Sequence, residues 1–197
     1  MRHDLQLTGH AFRLRPVDET DAEFIVDLRE RSGKFLHRGA RSTNEQLTWL
    51  ARYFERAGDY YFVVETADRR RREGLVGLYD LDPKNRTAEW GRWVLEPGSN
   101  AALESALLIY RCAFIELALE GVRCRTLAEN ERVVAFHDNC GLERGPAPIW
   151  IEHDGERRPA IVHTLLRDGW PHLMARLDRL AARFAGARQT RSSAVAP

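Results

Sequence analysis

Hydrophobic and polar positions alternate from Phe12 to Val17, where apolar and basic side chains follow one another. A period of two is typical of a strand that buries one face. Residues 18–21 then supply a capping side chain and acidic first-turn residues, and the apolar spacing that follows indicates a helix. A second helix is predicted from Thr43, where apolar residues recur at helical spacing. The chain therefore begins as strand–helix–helix.

Three further strands follow as an antiparallel meander. They are predicted over Tyr60–Glu65, Gly74–Leu81 and Thr87–Leu95, with a strong turn signal in the Asp-Pro and Asn of residues 82–86. A long amphipathic helix over residues 102–121 would then cross back to a strand at Val122–Leu127. We expect that strand to run parallel to the strand ending at Leu95, because such crossovers join parallel neighbours.

The sequence pattern in the last third of the chain predicts a β-hairpin followed by a terminal helix. Its strands would be Leu142–Ile151, interrupted by Pro146 and Pro148, and Pro159–Leu166. The apolar spacing after Trp170 predicts the helix.

Composition narrows the class of protein. The chain has 197 residues, with 30 basic and 29 acidic side chains and a formal net charge of +1. This balance gives no electrostatic case for nucleic acid or an anionic membrane as a partner. The three cysteines have no metal-ligand spacing, and there is no long apolar run, so we expect a soluble cytoplasmic protein.

The segment from Glu89 to Leu142 reads strand, loop, helix, strand, helix. A helix N-terminus leaves several backbone N–H groups without partners, and these can hold a phosphate or pyrophosphate. Asn130 and His137 follow the second strand and would lie near the same opening. The order of elements predicts a site for a long phosphorylated cofactor.

These residues resemble a known family. The stretches FRLRPVDETDAEFIVDLR, AEWGRWVLEP, AENERVVAFHDNCGLER and VHTLLRDGW are similar to motifs of the GNAT superfamily of N-acetyltransferases. The resemblance runs from about Phe12 to Trp170. It is closest to the branch that includes the ribosomal-protein N-terminal and nucleotide-amino-sugar acetyltransferases.

The resemblance implies an α/β (α+β) fold. Its core would be a mixed, mostly antiparallel seven-stranded sheet that splays open in the middle, after Leu95, with helices on both faces and an extra C-terminal helix. We expect a single acyl-CoA N-acyltransferase domain over residues 1–186, with a core at about 12–170, a C-terminal helix at 170–186 and a disordered tail at 187–197.

The resemblance also implies acetyl-CoA as co-substrate, and no metal. Its pyrophosphate would lie on the loop formed by Ser99, Asn100, Ala101, Ala102, Leu103 and Glu104, its pantetheine arm along the main chain of Trp93, Val94 and Leu95, and Asn130 beside the arm. The loop departs from the family's Gln/Arg-x-x-Gly-x-Gly/Ala pattern. A carboxylate at Glu104 would repel a pyrophosphate unless it points away or pairs with an arginine.

Two residues are candidates for proton transfer. His137 stands where the family usually has the tyrosine that protonates the leaving sulfur, and a histidine there would change charge with pH near neutrality; the alternative is a surface histidine. Glu89 matches a carboxylate that accepts the amine's proton in this branch. Its alternative is a salt bridge to Arg92 or Arg86.

The acceptor pocket is implied by the same resemblance. Phe35, His37 and Arg38 lie in the connection 32–42, which folds over the pocket in the family but is equally well read as a solvated loop. Tyr61, Tyr79 and Asp80 are on neighbouring strands and would line the acceptor side. His163 is expected to be a buried core residue, and the seven histidines show no metal-ligand spacing.

The implied function is transfer of an acetyl group from acetyl-CoA to a primary amine by direct attack. The acceptor would be a small molecule, such as an amino sugar, or a peptide N-terminus, and the protein would act as a monomer or homodimer. The alternative is a family member that has lost catalysis and serves as a ligand-binding or interaction module.

Overall fold

A computed structural model describes residues 2–193, with side chains for 2–32 and 34–186. The strands are β1 (Leu7–Thr8), β2 (Phe12–Pro16), β3 (Tyr60–Thr66), β4 (Arg72–Asp82), β5 (Thr87–Leu95), β6 (Gly121–Leu127), β7 (Glu143–Arg144), β8 (Ile149–His153) and β9 (Glu156–Leu166). The helices are α1 (Ala22–Ser32), α2 (Thr43–Tyr53), α3 (Ala102–Arg111), α4 (Glu131–Cys140) and α5 (Trp170–Ser193).

The strands form one sheet in the order β1-β2-β3-β4-β5-β6-β9-β7, with β8 also paired to β9. The pairs are antiparallel except β5 and β6, which run parallel as predicted. The predicted mixed α/β class is confirmed, and residues 2–193 form nine strands in place of the seven predicted. A short β1 adds one strand, and Pro146 and Pro148 split the predicted Leu142–Ile151 into β7 and β8, because proline has no N–H for a sheet ladder.

The sheet splays between its two parallel strands. The β5–β6 ladder covers Thr87↔Gly121 to Glu89↔Arg123 and then ends. The expected opening after Leu95 is therefore wrong: the strands separate after Glu89. A β-bulge explains the difference, because two residues of β5, Arg92 and Trp93, oppose the single residue Val76 of β4, and the φ of Arg92 is 50°. Bulges bend the strand that contains them.

Two cores lie on opposite faces of the sheet. Along β3, Tyr61 and Val63 face α1 and α2, whereas Phe62 and Val64 face α3 and α5. This alternation follows directly from the period of a strand. The expected helices on both faces are confirmed.

The helix after the loop is shorter than its sequence pattern. Its regular part ends at Arg111, and a π-helical turn at Cys112–Glu116 follows. At the other end of the chain, α5 buries Trp170, Leu173 and Leu177 in the core that also contains α3. This helix continues to Ser193, beyond the predicted boundary at 186. The rest of the predicted tail, residues 194–197, lies outside the described residues.

Within residues 2–193, no helix combines the length and the apolar character needed to cross a membrane.

Candidate active site

The splay opens into a cavity of about 860 Å³. One side is formed by the bulged part of β5, the free end of β6 and α4, and the other by loop 33–42 and β8. The cavity is lined by predicted residues of all three kinds. They are Trp93 and Asn130 for the cofactor, Glu89 and His137 for proton transfer, and Phe35, His37, Arg38, Tyr61 and Tyr79 for the acceptor. The fold therefore brings half of the eighteen predicted site residues to one cavity.

Glu89 is buried, with 3% of its surface exposed, at the last position of β5 that pairs with β6. Its Oε1 accepts a hydrogen bond from the Tyr79 hydroxyl at 3.2 Å. Its Oε2 lies 2.7 Å from Nε of Arg125 and 3.6 Å from Nε of Arg123. Burial raises the pKa of Tyr79, and the neighbouring Glu89 raises it further, so the phenol stays protonated and remains a donor.

The partner of Glu89 is neither of the two arginines that the sequence suggested. Arg92 instead pairs with Asp59, its Nη2 2.9 Å from Oδ2. Arg86 pairs with Glu120. The bulge explains the position of Arg92, because the left-handed φ there changes where its side chain points relative to its neighbours on β5.

Gly91 allows Tyr79 to reach Glu89. A Cβ atom at Gly91 would lie 2.4 Å from the Tyr79 hydroxyl oxygen and 3.2 Å from its Cζ. Arg92 lies over the same phenol ring, 4.6 Å from the ring centroid. The tyrosine is therefore confined between a glycine backbone and a paired guanidinium.

His137 lies inside the cavity wall, with 2% of its surface exposed. Its ring is 5.3 Å from that of Trp90 and 5.1 Å from that of His163, and Nδ1 has no hydrogen-bond partner among the described residues. Burial, followed by the nearby His163, lowers its pKa to about 3. The expected change of charge near neutrality is therefore wrong, and the ring is neutral at pH 7. Its role as proton donor stays a prediction.

The predicted pyrophosphate loop leads into the start of α3. Ala101 occupies the cap position without a side-chain cap, and the Ser99 hydroxyl accepts a hydrogen bond from the Ala101 nitrogen at 3.2 Å. Residues Ala102, Leu103 and Glu104 form the uncapped first turn, and Asn100 is exposed. The backbone N–H groups of such a turn fit a phosphate. Ser99 lines a second cavity, of about 480 Å³.

Glu104 points away from this loop. Its Oε1 accepts hydrogen bonds from the backbone nitrogens of Ala11 at 2.9 Å and Phe12 at 3.3 Å. The side chain is 4% exposed and fills the space beside Gly9. The repulsion anticipated for this carboxylate is absent because the carboxylate is bound by the backbone N–H groups that lead into β2.

The remaining cofactor-side residues differ in exposure. Trp93 lines the cavity and donates from Nε1 to the Ser105 hydroxyl at 3.0 Å. Val94 and Leu95 pack into the cores, so only their main chain could meet a ligand. Beyond Glu89, the edge of β5 that faces β6 has no ladder partner among the described strands. That edge fits the main-chain role expected for a pantetheine arm.

Asn130 lies at the start of α4, and its side chain does not cap the helix. Its backbone carbonyl accepts from Val133 and Val134, each at 3.0 Å. Its amide faces no helix donor and borders the cavity.

Asp80 differs from the other predicted acceptor residues. It is not among the described residues that line the cavity, and its exposed carboxylate lies 3.7 Å from Nη2 of Arg125. Asp80 thus touches the site through the arginine that pairs with Glu89.

Sequence reasoning missed several cavity residues. Arg125 had a usable signal, because VRCRTL alternates apolar and basic positions and places Arg123 and Arg125 on one face of β6. No sequence pattern pointed to Arg29, Trp150 or His153. Arg29 lies in α1 and the other two in β8, and only the folded chain brings these elements to the cavity.

Comparison with known proteins decides the family. The family model described as "Acetyltransferase (GNAT) domain" matches residues 12–143. This protein belongs to the GNAT acetyltransferase family. GNAT enzymes use acetyl-CoA as co-substrate, and the uncapped turn of α3, the open edge of β5 and the diverted Glu104 carboxylate all fit that molecule.

Two curated relatives come from Bacillus subtilis (strain 168). The "SPbeta prophage-derived uncharacterized N-acetyltransferase YokL" is 27% identical over 140 residues, covering 68% of this chain and 77% of the relative. The "Putative ribosomal N-acetyltransferase YdaF" is 28% identical over 170 residues, covering 80% of this chain and 90% of the relative.

Among solved structures, "Apo FdhC- a nucleotide-linked sugar GNAT" superposes with a TM-score of 0.77 at 26% identity, covering 91% of this chain and 99% of that one. The fold is also shared with a mutant form of the spermidine N-acetyltransferase SpeG from Vibrio cholerae. That structure superposes with a TM-score of 0.71 at 19% identity, covering 81% of this chain and 96% of that one.

Proposed function

We propose that this acetyltransferase acts on the amine of a small acceptor that carries a negatively charged group, of the kind found in nucleotide-linked amino sugars. The observation that carries the proposal is the charge of the cavity. Five arginines line it (Arg29, Arg38, Arg56, Arg92, Arg125) against two glutamates (Glu89, Glu152).

Some of these arginines are already neutralised. Arg125 pairs with Glu89, and Arg92 pairs with Asp59. Arg29 and Arg38 take part in no ion pair with a carboxylate among the described residues, and Arg29 donates to the His37 carbonyl at 2.6 Å. Arginine is the side chain best suited to phosphate, because its planar fork of donors matches the phosphate oxygens.

The charge argues against a polyamine acceptor. A cationic substrate such as spermidine would meet like charges at Arg29 and Arg38, which is unfavourable. The similarity to a nucleotide-linked sugar GNAT supports the same choice. A peptide N-terminus is the second candidate, because YdaF is named as a ribosomal N-acetyltransferase.

The chemistry requires little of the protein. Acetyl-CoA supplies the activated thioester; the amine forms a C–N bond to its carbonyl carbon as the C–S bond breaks. Glu89 is positioned by Tyr79 and Arg125 to accept the proton that the amine loses, directly or through water. His137, as a neutral imidazole, offers an N–H to the departing sulfur. No enzyme nucleophile is needed.

The test is a thiol-release assay with acetyl-CoA and four acceptors. These are a nucleoside-diphosphate-linked amino sugar, the same sugar without its nucleotide, spermidine, and a peptide with a free N-terminus. We expect the highest kcat/KM for the nucleotide-linked sugar and the lowest for spermidine. Preference for spermidine or for the peptide would contradict the proposed acceptor class, and no thiol release with any acceptor would contradict the proposed roles of Glu89 and His137.

A matched pair of variants tests the role of charge. Arg38→Gln removes a cavity arginine, whereas Arg41→Gln removes an exposed arginine of the same loop that does not line the cavity. We expect Arg38→Gln to raise the KM of the anionic acceptor by a factor of about five, the effect of roughly 1 kcal/mol. The KM of the free sugar, which lacks the anionic group, should not change. If Arg38→Gln and Arg41→Gln change the KM of the anionic acceptor equally, the proposal is contradicted.

A further inference from the structure

Three potential metal ligands meet at the mouth of the cavity. His37 comes from loop 33–42, and His153 and Asp154 come from the end of β8 and the turn into β9. One ligand atom from each residue lies within 4.8 Å of the other two. No pattern in the sequence reveals this cluster, because its members come from segments far apart along the chain.

The atoms are close to coordinating positions. His37 Nδ1 is 3.7 Å from Asp154 Oδ1, and His153 Nε2 is 3.9 Å from Asp154 Oδ2. The two imidazole rings lie 4.2 Å apart between centroids. Zinc bonds of about 2.0–2.2 Å to nitrogen and oxygen place neighbouring ligand atoms roughly 3.3–3.5 Å apart in a tetrahedron. Small side-chain rotations would close the difference.

Two of the three ligands are held firmly. The β8–β9 hairpin turns at Asp154 and Gly155, which have φ values of 54° and 87°, as a two-residue Asp-Gly turn requires. The side chain of His153 is 4% exposed. The backbone nitrogen of Arg38 donates to Asp154 Oδ1 at 2.8 Å, which leaves Oδ2 for another partner. A carboxylate oriented by a backbone donor is typical of metal ligands.

We propose that His37, His153 and Asp154 form a binding site for one divalent first-row metal ion, with Zn²⁺ preferred. Two imidazoles and one carboxylate are a donor set that zinc favours, and three protein ligands leave a fourth position open. The ion joins loop 33–42 to the β8–β9 hairpin. Both segments line the cavity, so metal binding orders the entrance on the acceptor side.

The test is a calorimetric titration of the untagged protein with Zn²⁺ alone, in a buffer that does not chelate metal. We expect saturable one-to-one binding. His37→Ala should weaken it by at least about tenfold, the smaller of the effects seen when only an outer partner of a metal ligand is removed. The side chain of His37 is 62% exposed, so this variant should fold normally.

His10→Ala is the matched control. His10 Nε2 lies 2.9 Å from Asp178 Oδ1, so it forms an exposed histidine–aspartate pair, but it belongs to no cluster of three potential ligands among the described residues. This variant should bind zinc like the native protein. An equal loss of zinc affinity in His10→Ala and His37→Ala would contradict the proposed site.

A second measurement reports the ligands directly. Co²⁺ in place of Zn²⁺ should give the visible absorption of a four-coordinate ion in the native protein, and Asp154→Asn should reduce it. Absence of saturable Zn²⁺ binding in the native protein, or unchanged Co²⁺ absorption in both His37→Ala and Asp154→Asn, would overturn the proposal. Neither readout depends on catalysis.

Discussion

The carboxylate of Glu104 accepts a hydrogen bond from the backbone nitrogen of Ala11, with 2.9 Å between Oε1 and that nitrogen. Through this contact the first turn of α3 holds the connection between β1 and β2. The same contact removes a negative charge from the loop predicted to bind a pyrophosphate. One side chain thus links the N-terminal strands to the cofactor end of the site.

Glu104→Ala should therefore reduce stability without weakening CoA binding. The backbone N–H groups of the half-buried Ala11 and the buried Phe12 would lose the Glu104 carboxylate as an acceptor, at a cost of about 1–3 kcal/mol. Urea unfolding measures the first effect and calorimetric titration with CoA the second. The control is Glu131→Ala, an exposed first-turn glutamate of α4, which should change neither. A large loss of CoA affinity in Glu104→Ala would mean that the carboxylate contacts the ligand.

The antiparallel meander of β3, β4 and β5 and the parallel β5–β6 pair could be predicted because they depend on local patterns. Apolar alternation marks β2, and dense β-branched and aromatic residues mark β3. A long helix between two strands then leaves few ways to connect them. These signals lie within short windows of the sequence.

The partners inside the site could not be predicted in this way. Glu104 meets Ala11, and Glu89 meets Arg125, across distances that only the assembled sheet closes. The opening after Glu89 depends on a bulge at Arg92, and nothing in the sequence of β5 marks a positive φ at an arginine. The burial that keeps His137 neutral also comes from distant rings.

Glu89→Gln should lower kcat by about a hundredfold to ten-thousandfold, the usual contribution of a general base. The amide keeps the size of the side chain but cannot accept the amine's proton. The CoA dissociation constant should stay unchanged. Glu152→Gln is the matched control, since this exposed glutamate lines the same cavity without contacting Tyr79 or Arg125 in the described hydrogen bonds and ion pairs. If Glu89→Gln keeps the native kcat, a group other than Glu89 must take the proton that the amine loses.

Gly91→Ala should destabilise the protein by about 1–3 kcal/mol, as expected for overpacking. The new methyl group would lie 2.4 Å from the Tyr79 hydroxyl oxygen and force the phenol away from Glu89. Urea unfolding measures the loss. At Gly145 the nearest atom to an added Cβ is 3.5 Å away, so Gly145→Ala serves as the control.

A double-mutant cycle checks the cause of that loss. Tyr79→Phe removes the oxygen nearest to the new methyl group, so Gly91→Ala should cost less in the Tyr79→Phe background than in the native protein. Additive effects of the two substitutions would show that the strain at position 91 does not come from the hydroxyl.

His137 should make the protein less stable as the pH falls below about 6.5. Burial lowers its folded-state pKa to about 3, so between these values the unfolded chain binds a proton that the folded chain does not. The stability that this group contributes is present above about pH 6.5 and is lost towards pH 3, at up to about 1.4 kcal/mol per pH unit.

His137→Gln removes this contribution, so the difference in unfolding free energy between native protein and variant should shrink as the pH is lowered from about 7 to 4. Exposed His172→Gln is the control and should leave the native pH profile unchanged. A native-minus-variant difference that stays constant over this range would show that the folded protein protonates His137 as readily as the unfolded chain does.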